Sequence, residues 1–246
     1  MPSQLVCRPE RGFPVAALHV GGTLDQVTGD ALHQAVRLRL AEQPTVLLLD
    51  LAELRIGDPV GLSALNAVVG PTLAWPDVPV VVCGAGPRTI ALITSAPECA
   101  ALRFEDDFGA ALASARAEIE PPRIRVRMRP VPGACRQVRH LVTQTCSAWH
   151  RAELASTATL IATELVANVV RHARTTMDFT IRPLSGGHLY MAVRDHSRRM
   201  PRPTEAGVSD AGGRGLRLVR DLTDSWGVLP VSDGKVVWTR MHTDAL

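Results

Sequence analysis

The sequence predicts an α/β domain with a mixed sheet and covering helices, followed by an α+β domain with helices on one face of a mostly antiparallel sheet. Three observations predict this. The 246 residues exceed the usual length of one domain. Pro121-Pro122 interrupts the chain near its middle, and the hydrophobic patterning changes there. We expect the two domains to span residues 1–120 and 121–246.

Net charge also changes at this boundary. Residues 1–120 hold 8 Arg against 14 Asp and Glu, a net charge of −6, whereas residues 121–246 hold 19 Lys and Arg against 10 acids, a net charge of +9. Opposite charges attract, and salt screens that attraction beyond about 8 Å at physiological ionic strength. We therefore expect salt-sensitive intramolecular docking of one domain on the other.

Composition excludes several classes of protein. Hydrophobic residues make up 46% and charged residues 21% of the chain, as in ordinary globular proteins. No apolar run reaches the roughly 18 to 20 residues of a membrane helix, and the N-terminus lacks a signal-peptide pattern, so we expect a cytoplasmic protein without a membrane partner. The five cysteines are widely spaced and lack a C-x-x-C pair, which argues against a zinc or disulfide framework. Lys235 is the only lysine among 27 basic residues, a bias that we attribute to composition rather than function.

Strand and helix signals alternate in the first half. Apolar runs typical of strands occupy Pro14–Val20 (ending at Gly21-Gly22), Thr45–Leu51 and Val78–Cys83. Helical patterns occupy Asp30–Leu40, Gly61–Val69 and Phe108–Ile119. Such alternation predicts a mixed, largely parallel sheet covered by helices.

The second half has a different pattern. Strands are predicted at Arg123–Arg129, Asp178–Arg182, Leu189–Val193 and Lys235–Met241. Helices are predicted at Ala134–Trp149, Glu153–Ala173 and Gly215–Leu222. Residues Ser197–Gly212 are rich in Pro, Gly and Arg without periodicity, which is typical of a loop.

A line of polar residues marks the helix predicted at Glu153–Ala173. Glu164, Asn168 and His172 recur every four residues and therefore share one face. An amide oxygen can ligate Mg²⁺, and a carboxylate one turn away can act as a base or position a nucleophile. The same spacing is also typical of a solvated polar face, and we expect His172 to be a hydrogen-bonded helix residue rather than a ligand.

Two further features follow in the chain. Asp195 lies just past the strand Leu189–Val193, where a carboxylate could accept a hydrogen bond from an amino group such as that of adenine. Gly212-Gly213-Arg214-Gly215 precedes a helix, where backbone N–H groups, the helix dipole and Arg214 favour a phosphate. The same glycines suit an ordinary loop-to-helix junction.

Together these residues resemble the GHKL (HATPase) superfamily of ATPases, which has the Bergerat fold. The N, G1 and G2 boxes of that superfamily are similar to Glu164-x-x-x-Asn168, Asp195 and Gly213-x-Gly215. The phrases ELVANVVRHA, GGRGLRLVRDLTDSWGV and GKVVW resemble its branch of anti-sigma-factor serine kinases and related actinobacterial ATP-binding regulators.

The resemblance implies a site for ATP and Mg²⁺. Glu164 would be the general base, Asn168 the Mg²⁺ ligand and Asp195 the contact to adenine. The residues implied as phosphate contacts are Gly213, Arg214 and Gly215.

The G1 box departs from the family pattern. The family usually has Asp-x-Gly-x-Gly, but here Asp195 is followed by His196, Ser197, Arg198 and Arg199. Val236 stands where a Thr often follows Gly-Lys. These departures leave open whether the domain transfers phosphoryl groups.

The first half, over roughly 10–118, resembles a STAS domain, the fold of anti-sigma-factor antagonists. Val46–Leu65 (VLLLDLAELRIGDPVGLSAL) is similar to the family's strand, Asp-Leu and Asp-Ser-Ser-Gly-Leu. The resemblance implies a phosphorylated Ser at a helix start, but Pro59 and Val60 stand there and neither accepts phosphate. Asp58-Pro59 fits the cap and first turn of a helix instead. The alternative is a domain locked in an unphosphorylated-like state that docks permanently on a partner.

Two functions are consistent with these features. The resemblance implies an ATP-binding partner-switching regulator, an anti-sigma-factor-like serine/threonine kinase whose partners are a STAS-domain antagonist, a sigma factor or both. The alternative is a catalytically weak or inactive scaffold that sequesters a partner through either domain, and a homodimer is compatible with both. The basic half does not favour nucleic acid, because it has few aromatic residues and no recognition-helix pattern.

Overall fold

Two separate sheets organise the chain, one in each half. The computed structural model describes residues 4–10, 14–58, 60–66, 78–95, 99, 102–117, 122–201 and 214–242. The chain divides into two compact units, Met1–Glu120 and Pro121–Leu246. The first unit has a mixed sheet with helices and the second an antiparallel sheet with helices, which confirms the predicted fold class.

The sheet of the first unit has the strand order β1-β2-β3-β5-β6, and β4 pairs with β2. Its strands are β1 (Leu5–Glu10), β2 (Val15–Leu24), β3 (Val46–Asp50), β4 (Leu54–Ile56), β5 (Val80–Cys83) and β6 (Arg103–Glu105). Its helices are α1 (Gly29–Ala41), α2 (60–66), α3 (Pro87–Thr94) and α4 (Phe108–Ala117). The pairing of β1 with β2 is antiparallel and every other strand pairing in this sheet is parallel.

The core of the first unit explains why the apolar runs form strands. In the central strand β3, residues 46–49 are all buried, as expected for a strand covered on both faces. Leu48 packs with Val81 of β5 and with Ala111 and Ala115 of α4. Helix α1 buries the stripe of residues that its periodicity predicted, Leu32, Val36 and Leu40.

The two glycines of β2 lie inside the strand and do not end it. Gly22 has a φ of 101°, and a Cβ there would collide with the backbone oxygen of Gln4. This close approach accompanies the edge strand β1, whose Leu5 is the register partner of Gly22. The prediction that the strand ends at Gly21-Gly22 was therefore wrong. The glycines allow β1 to pair beside them, and β2 continues to Leu24.

Asp58 caps the helix of residues 60–66. Its Oδ1 accepts a hydrogen bond from the Gly61 N–H at 2.6 Å, and its backbone oxygen accepts one from the Leu62 N–H at 3.3 Å. This confirms the capping interpretation of Asp58, because a side-chain oxygen satisfies an N–H that has no intrahelical partner. Pro59 lies outside the described residues, as do positions 67–69 and 118–119 of the predicted helices.

A histidine between two carboxylates connects three strands of the first sheet. His19 of β2 contacts Asp50 Oδ2 of β3 through Nδ1 at 2.8 Å and Glu10 Oε2 of β1 through Nε2 at 3.0 Å. The hydrogen bond to Glu10 raises the pKa of His19, burial opposes it, and Asp50 raises it further. The net pKa lies above the ordinary value of 6.5, so the folded state favours the imidazolium.

The sheet of the second unit is antiparallel throughout, in the order β10-β11-β9-β8-β7. Its strands are β7 (Ile124–Met128), β8 (Met177–Pro183), β9 (Leu189–Asp195), β10 (Ser225–Val231) and β11 (Gly234–Met241). Its helices are α5 (Ala134–Ala148), α6 (Ala155–Asn168) with a π-helical turn at Val169–Ala173, and α7 (Arg214–Asp221).

One core joins the helices to this sheet. Val138 and Val142 of α5 and Ile161 and Leu165 of α6 are buried with the alternate residues of the strands, such as Phe179. Of the described helices, only the stretch Ala152–Ala173 has the length and hydropathy that a membrane span requires. Its apolar side lies in this core, so it is a partly buried core helix.

The cysteines form no disulfides. Burial raises the pKa of Cys83 to about 12 and that of Cys146 to about 11. Both thiols therefore remain protonated at neutral pH and act as small apolar core residues, as the sequence predicted.

The cap at Asp58 predicts a local loss of stability in Asp58→Ala. Removing a side-chain cap costs about 0.5–2 kcal/mol, so hydrogen exchange at the Gly61 amide should accelerate. Asp58→Ser should keep most of the protection, because a hydroxyl can also accept this bond. Asp30→Ala, which removes an exposed acid from the first turn of α1, is the matched control and should leave Gly61 unchanged.

The His19 cluster predicts a stability that falls as pH rises. Because the folded pKa is raised, the stabilisation is complete below about pH 6.5 and is lost as pH rises through the folded value. Urea unfolding of the whole chain across this window should show the loss, and His19→Gln should abolish it. His33→Gln, at an exposed histidine of α1 outside the cluster, should retain it. An identical pH dependence in wild type and His19→Gln would contradict the assignment.

Candidate functional site

A cavity of about 260 Å³ opens in the second unit beside the C-terminal end of α6. The residues after β9, the start of α7 and the first residues of β11 complete its wall. The cavity brings together five residues that the sequence singled out: Glu164, Asn168, His172, Asp195 and Gly215.

The phosphate-binding residues are only partly described. Gly213 lies outside the described residues, and so does most of the predicted loop Ser197–Gly212, from residue 202 onward. Arg214 is the first residue of α7, one position before Gly215. Of the predicted phosphate-binding residues, the structure therefore places Gly215 and the start of α7.

Core packing directs the polar residues of α6 into the cavity. Leu165 and Val166 are buried in the core, so Glu164 and Asn168 project from the remaining side of the helix. The Glu164 carboxylate lies 3.6 Å from Arg171 Nη2. The candidate base and the candidate metal ligand are thus placed one helical turn apart on one wall, as their spacing predicted.

The helix changes geometry directly after Asn168. Val169–Ala173 forms a π-helical turn, closed by a hydrogen bond of 2.8 Å from the Arg174 N–H to the Val169 oxygen. Arg174 then ends the helix with a left-handed φ of 54°. Such turns occur frequently at functional sites. His172 lies in this turn and is exposed at the cavity. Because the α-helix ends at Asn168, the four-residue spacing places only Glu164 and Asn168 on one α-helical face.

Gly215 allows α7 to approach Glu164. A Cβ at position 215 would collide with Glu164 Oε2. A side chain at position 215 would displace the Glu164 carboxylate, so glycine leaves the candidate base in place whether or not a phosphate binds there. The same close approach holds the backbone at the start of α7 beside the candidate base.

Asp195 is the last residue of β9, and the prediction that it lies past the strand was wrong. β9 continues to Asp195 because that residue pairs in register with Lys235 of β11 on one side and with Met177 of β8 on the other. The carboxylate is buried, with 1% of the residue exposed. Its Oδ1 accepts a hydrogen bond of 2.8 Å from the Ser197 N–H.

Lys235 forms a buried ion pair with Asp195. The Lys235 Nζ donates hydrogen bonds of 2.9 Å to Oδ1 and of 3.0 Å to the Ser197 oxygen, and it lies 2.8 Å from Oδ2. Only 3% of Lys235 is exposed. Both residues line the cavity, so the carboxylate expected to contact adenine is already engaged by a cation.

Sequence reasoning missed Lys235, although a signal was present. It is the only lysine of the chain, and it begins an apolar strand in which a charge needs a buried partner. Compositional bias concerns the preponderance of arginine and not this single lysine, whose side chain has a specific partner 40 positions away.

The rim of the cavity carries further positive charge. Arg171 and Arg199 line it together with Lys235, and the imidazole of His172 lies beside them. Among the described residues, no group of three or more His, Cys, Asp or Glu side chains could hold a metal ion. A cation at Asn168 would therefore need oxygen ligands from a bound anion, which is how Mg²⁺ is commonly held beside phosphates.

One family of known domains matches this unit. Residues 128–241 match the histidine kinase-like ATPase domain. No curated protein matches the chain.

Solved structures show partial similarity. An anti-sigma factor antagonist from Mycobacterium paratuberculosis is 26% identical, with a TM-score of 0.41, over 47% of this chain and 97% of that one. The RsbU and RsbW domains of a Mycobacterium tuberculosis protein are 14% identical, with a TM-score of 0.38, over 49% of this chain and 32% of that one. A histidine kinase domain from Erythrobacter litoralis is 18% identical, with a TM-score of 0.30, over 52% of this chain and 71% of that one.

The match over residues 128–241 covers the antiparallel sheet and helix α6 beside the cavity. The N-terminal half, with its mixed sheet, resembles structures of anti-sigma factor antagonists. The second unit of this chain is therefore a histidine kinase-like ATPase domain.

Proposed function

We propose that the chain is an ATP-binding partner-switching regulator whose second unit binds a nucleoside triphosphate with Mg²⁺ and phosphorylates a Ser or Thr of a partner protein. The observation that carries the proposal is the convergence of Glu164, Asn168 and Gly215 on one cavity of the histidine kinase-like ATPase domain. Bound Mg·ATP would supply the phosphoryl group that is transferred.

The metal end of the cavity fits this proposal. The Asn168 amide oxygen is a ligand of the type that Mg²⁺ accepts, and the Glu164 carboxylate stands one turn away. Glu164 would accept the proton of the attacking hydroxyl, which requires a carboxylate beside the reacting oxygen. Arg171, 3.6 Å from Glu164, would hold that carboxylate in position.

The phosphate end also fits. The start of α7 lies at the cavity with Gly215, and the cationic side chains Arg171 and Arg199 line the same space. A helix start and neighbouring cations both favour an anionic ligand. These groups would orient a triphosphate and balance part of its charge.

The base end does not fit the role that the family resemblance gives to Asp195. Both carboxylate oxygens of Asp195 already lie within 2.9 Å of the Lys235 ammonium group, and Oδ1 accepts a hydrogen bond from it. This observation favours a second candidate function, a scaffold that binds nucleotide weakly or not at all and sequesters a partner.

The partners that we propose are a STAS-domain antagonist and a sigma factor, in the cytoplasm. They follow from the sequence resemblance of Val46–Leu65 to antagonists and of the second unit to the kinases that act on them. Because Pro59 and Val60 cannot accept phosphate, the phosphoryl acceptor would belong to another STAS protein. The docking of one unit on the other and a homodimer remain part of this proposal.

Calorimetric titration of the full chain with ATP, with and without Mg²⁺, tests the proposal. We expect binding that Mg²⁺ strengthens, and Asn168→Ala should remove that Mg²⁺ dependence because it deletes the amide ligand. Glu164→Gln should keep nucleotide binding but lose transfer of labelled phosphate to a partner, because the amide cannot accept a proton.

Thr143→Ala is the control for folding, since this exposed hydroxyl of α5 lies outside the cavity and should leave both readouts unchanged. Binding without phosphoryl transfer to any STAS partner would favour the scaffold. A wild-type chain that binds no triphosphate at millimolar concentration, with or without Mg²⁺, would contradict nucleotide binding itself.

A further inference from the structure

We propose that Lys235 prevents the Asp195 carboxylate from accepting a hydrogen bond from a nucleotide base. The cavity then selects the triphosphate and Mg²⁺ and does not discriminate adenine from guanine. The inference rests on the proposed nucleotide site and names the ligand class for it. It starts from the disagreement between the adenine-contact role expected of Asp195 and the contacts that this carboxylate makes.

Lys235 is paired and hydrogen-bonded within the chain. Nζ donates hydrogen bonds to Asp195 Oδ1 at 2.9 Å and to the Ser197 oxygen at 3.0 Å, and it lies 2.8 Å from Asp195 Oδ2 in the same ion pair. The Asp195 carboxylate balances the charge of this buried cation. The pair is therefore a finished part of the fold and not a site that waits for a counter-ion.

A base cannot displace the lysine from Asp195. The exocyclic amine of adenine is a neutral donor, whereas each bond from Lys235 is charge-assisted and stronger. Displacing Lys235 would also leave an ammonium group without its counter-ion at a position where only 3% of the residue is exposed, and an unpaired buried charge is strongly unfavourable.

The backbone around Asp195 adds to this constraint. The Ser197 N–H donates to Oδ1 and the Ser197 oxygen accepts from Lys235, so the residues after β9 close over the pair. Two residues of this segment stand where the family has glycines in its G1 box, Ser197 and Arg199. The loss of the glycines and the capture of the carboxylate thus occur in the same short segment.

Recognition then rests on the other end of the ligand. Among the described residues of the wall, Arg171, Arg199 and Asn168 offer positive charge and a metal ligand, neither of which is specific for a base. Charge and metal coordination are the same for ATP and GTP, so these contacts favour both equally. A base-specific contact requires an acceptor that the amine of adenine can use and the carbonyl of guanine cannot.

Titration of the full wild-type chain with Mg·ATP and Mg·GTP measures this property. We expect dissociation constants within about threefold of each other. Lys235→Met, which keeps the apolar stem and removes the ammonium group, should make ATP bind about tenfold more tightly than GTP, because Asp195 then accepts from the adenine amine and repels the guanine carbonyl. Arg194→Met is the matched control: it removes a strand cation paired with Asp233, and it should leave the ratio unchanged.

If Lys235→Met is poorly folded, the melting temperatures of the single and double variants test the ion pair instead. Asp195→Asn and Lys235→Met should each lower Tm by several degrees, and the double variant should recover part of the loss, because it leaves no unpaired buried charge. Additive losses in the double variant would overturn the pairing.

The outcomes separate this inference from the proposed function. A wild-type preference for ATP over GTP of tenfold or more, lost in Asp195→Asn, would overturn the inference and leave nucleotide binding established. Binding of neither triphosphate by wild type or Lys235→Met would overturn the proposed function, and the inference with it.

Discussion

A buried ion pair between Asp195 and Lys235 fixes one part of the wall of the cavity in the second unit. Each partner is almost fully removed from solvent, and a charge in that environment must be matched. The pairing also fixes the ends of two central strands, because the same residues are register partners in β9 and β11. The residues after β9 follow from this arrangement, since Ser197 bonds to both members of the pair. The base end of the site is thus built as part of the sheet.

The metal and phosphate ends have a different origin. Glu164 and Asn168 face the cavity because the apolar residues of α6 fill the core on the other side of the helix. Gly215 leaves room for the Glu164 carboxylate beside the start of α7, where a Cβ would collide with Oε2. The proposed catalytic end of the site therefore depends on helix packing, whereas the proposed base end depends on strand pairing. The two ends can diverge independently, and in this chain the base end departs from the family pattern.

Local patterns predicted most of the fold. The apolar run of β3 and the stripe Leu32, Val36 and Leu40 of α1 are buried as expected, because strand length and helical periodicity report burial directly. The edge strand β1 was missed because charged residues and Pro9 interrupt its apolar pattern, and β10 because Gly227 and Pro230 suggest a turn. The spacing of Glu164 and Asn168 predicted one wall of the site. The Lys235 contact was not predicted, because register across 40 residues is absent from any local pattern.

The most direct test of the account is the nuclear magnetic resonance signal of the Lys235 ammonium group. Lys235 is the only lysine of the chain, so labelling lysine with ¹⁵N gives a single side-chain signal. We predict ammonium protons that exchange slowly enough to be detected at neutral pH, both before and after addition of Mg·ATP, and whose signal is lost in Asp195→Asn. An ammonium signal that exchanges as fast as that of free lysine, or that changes to that behaviour when nucleotide binds, would contradict the claim that Lys235 holds Asp195 away from the base.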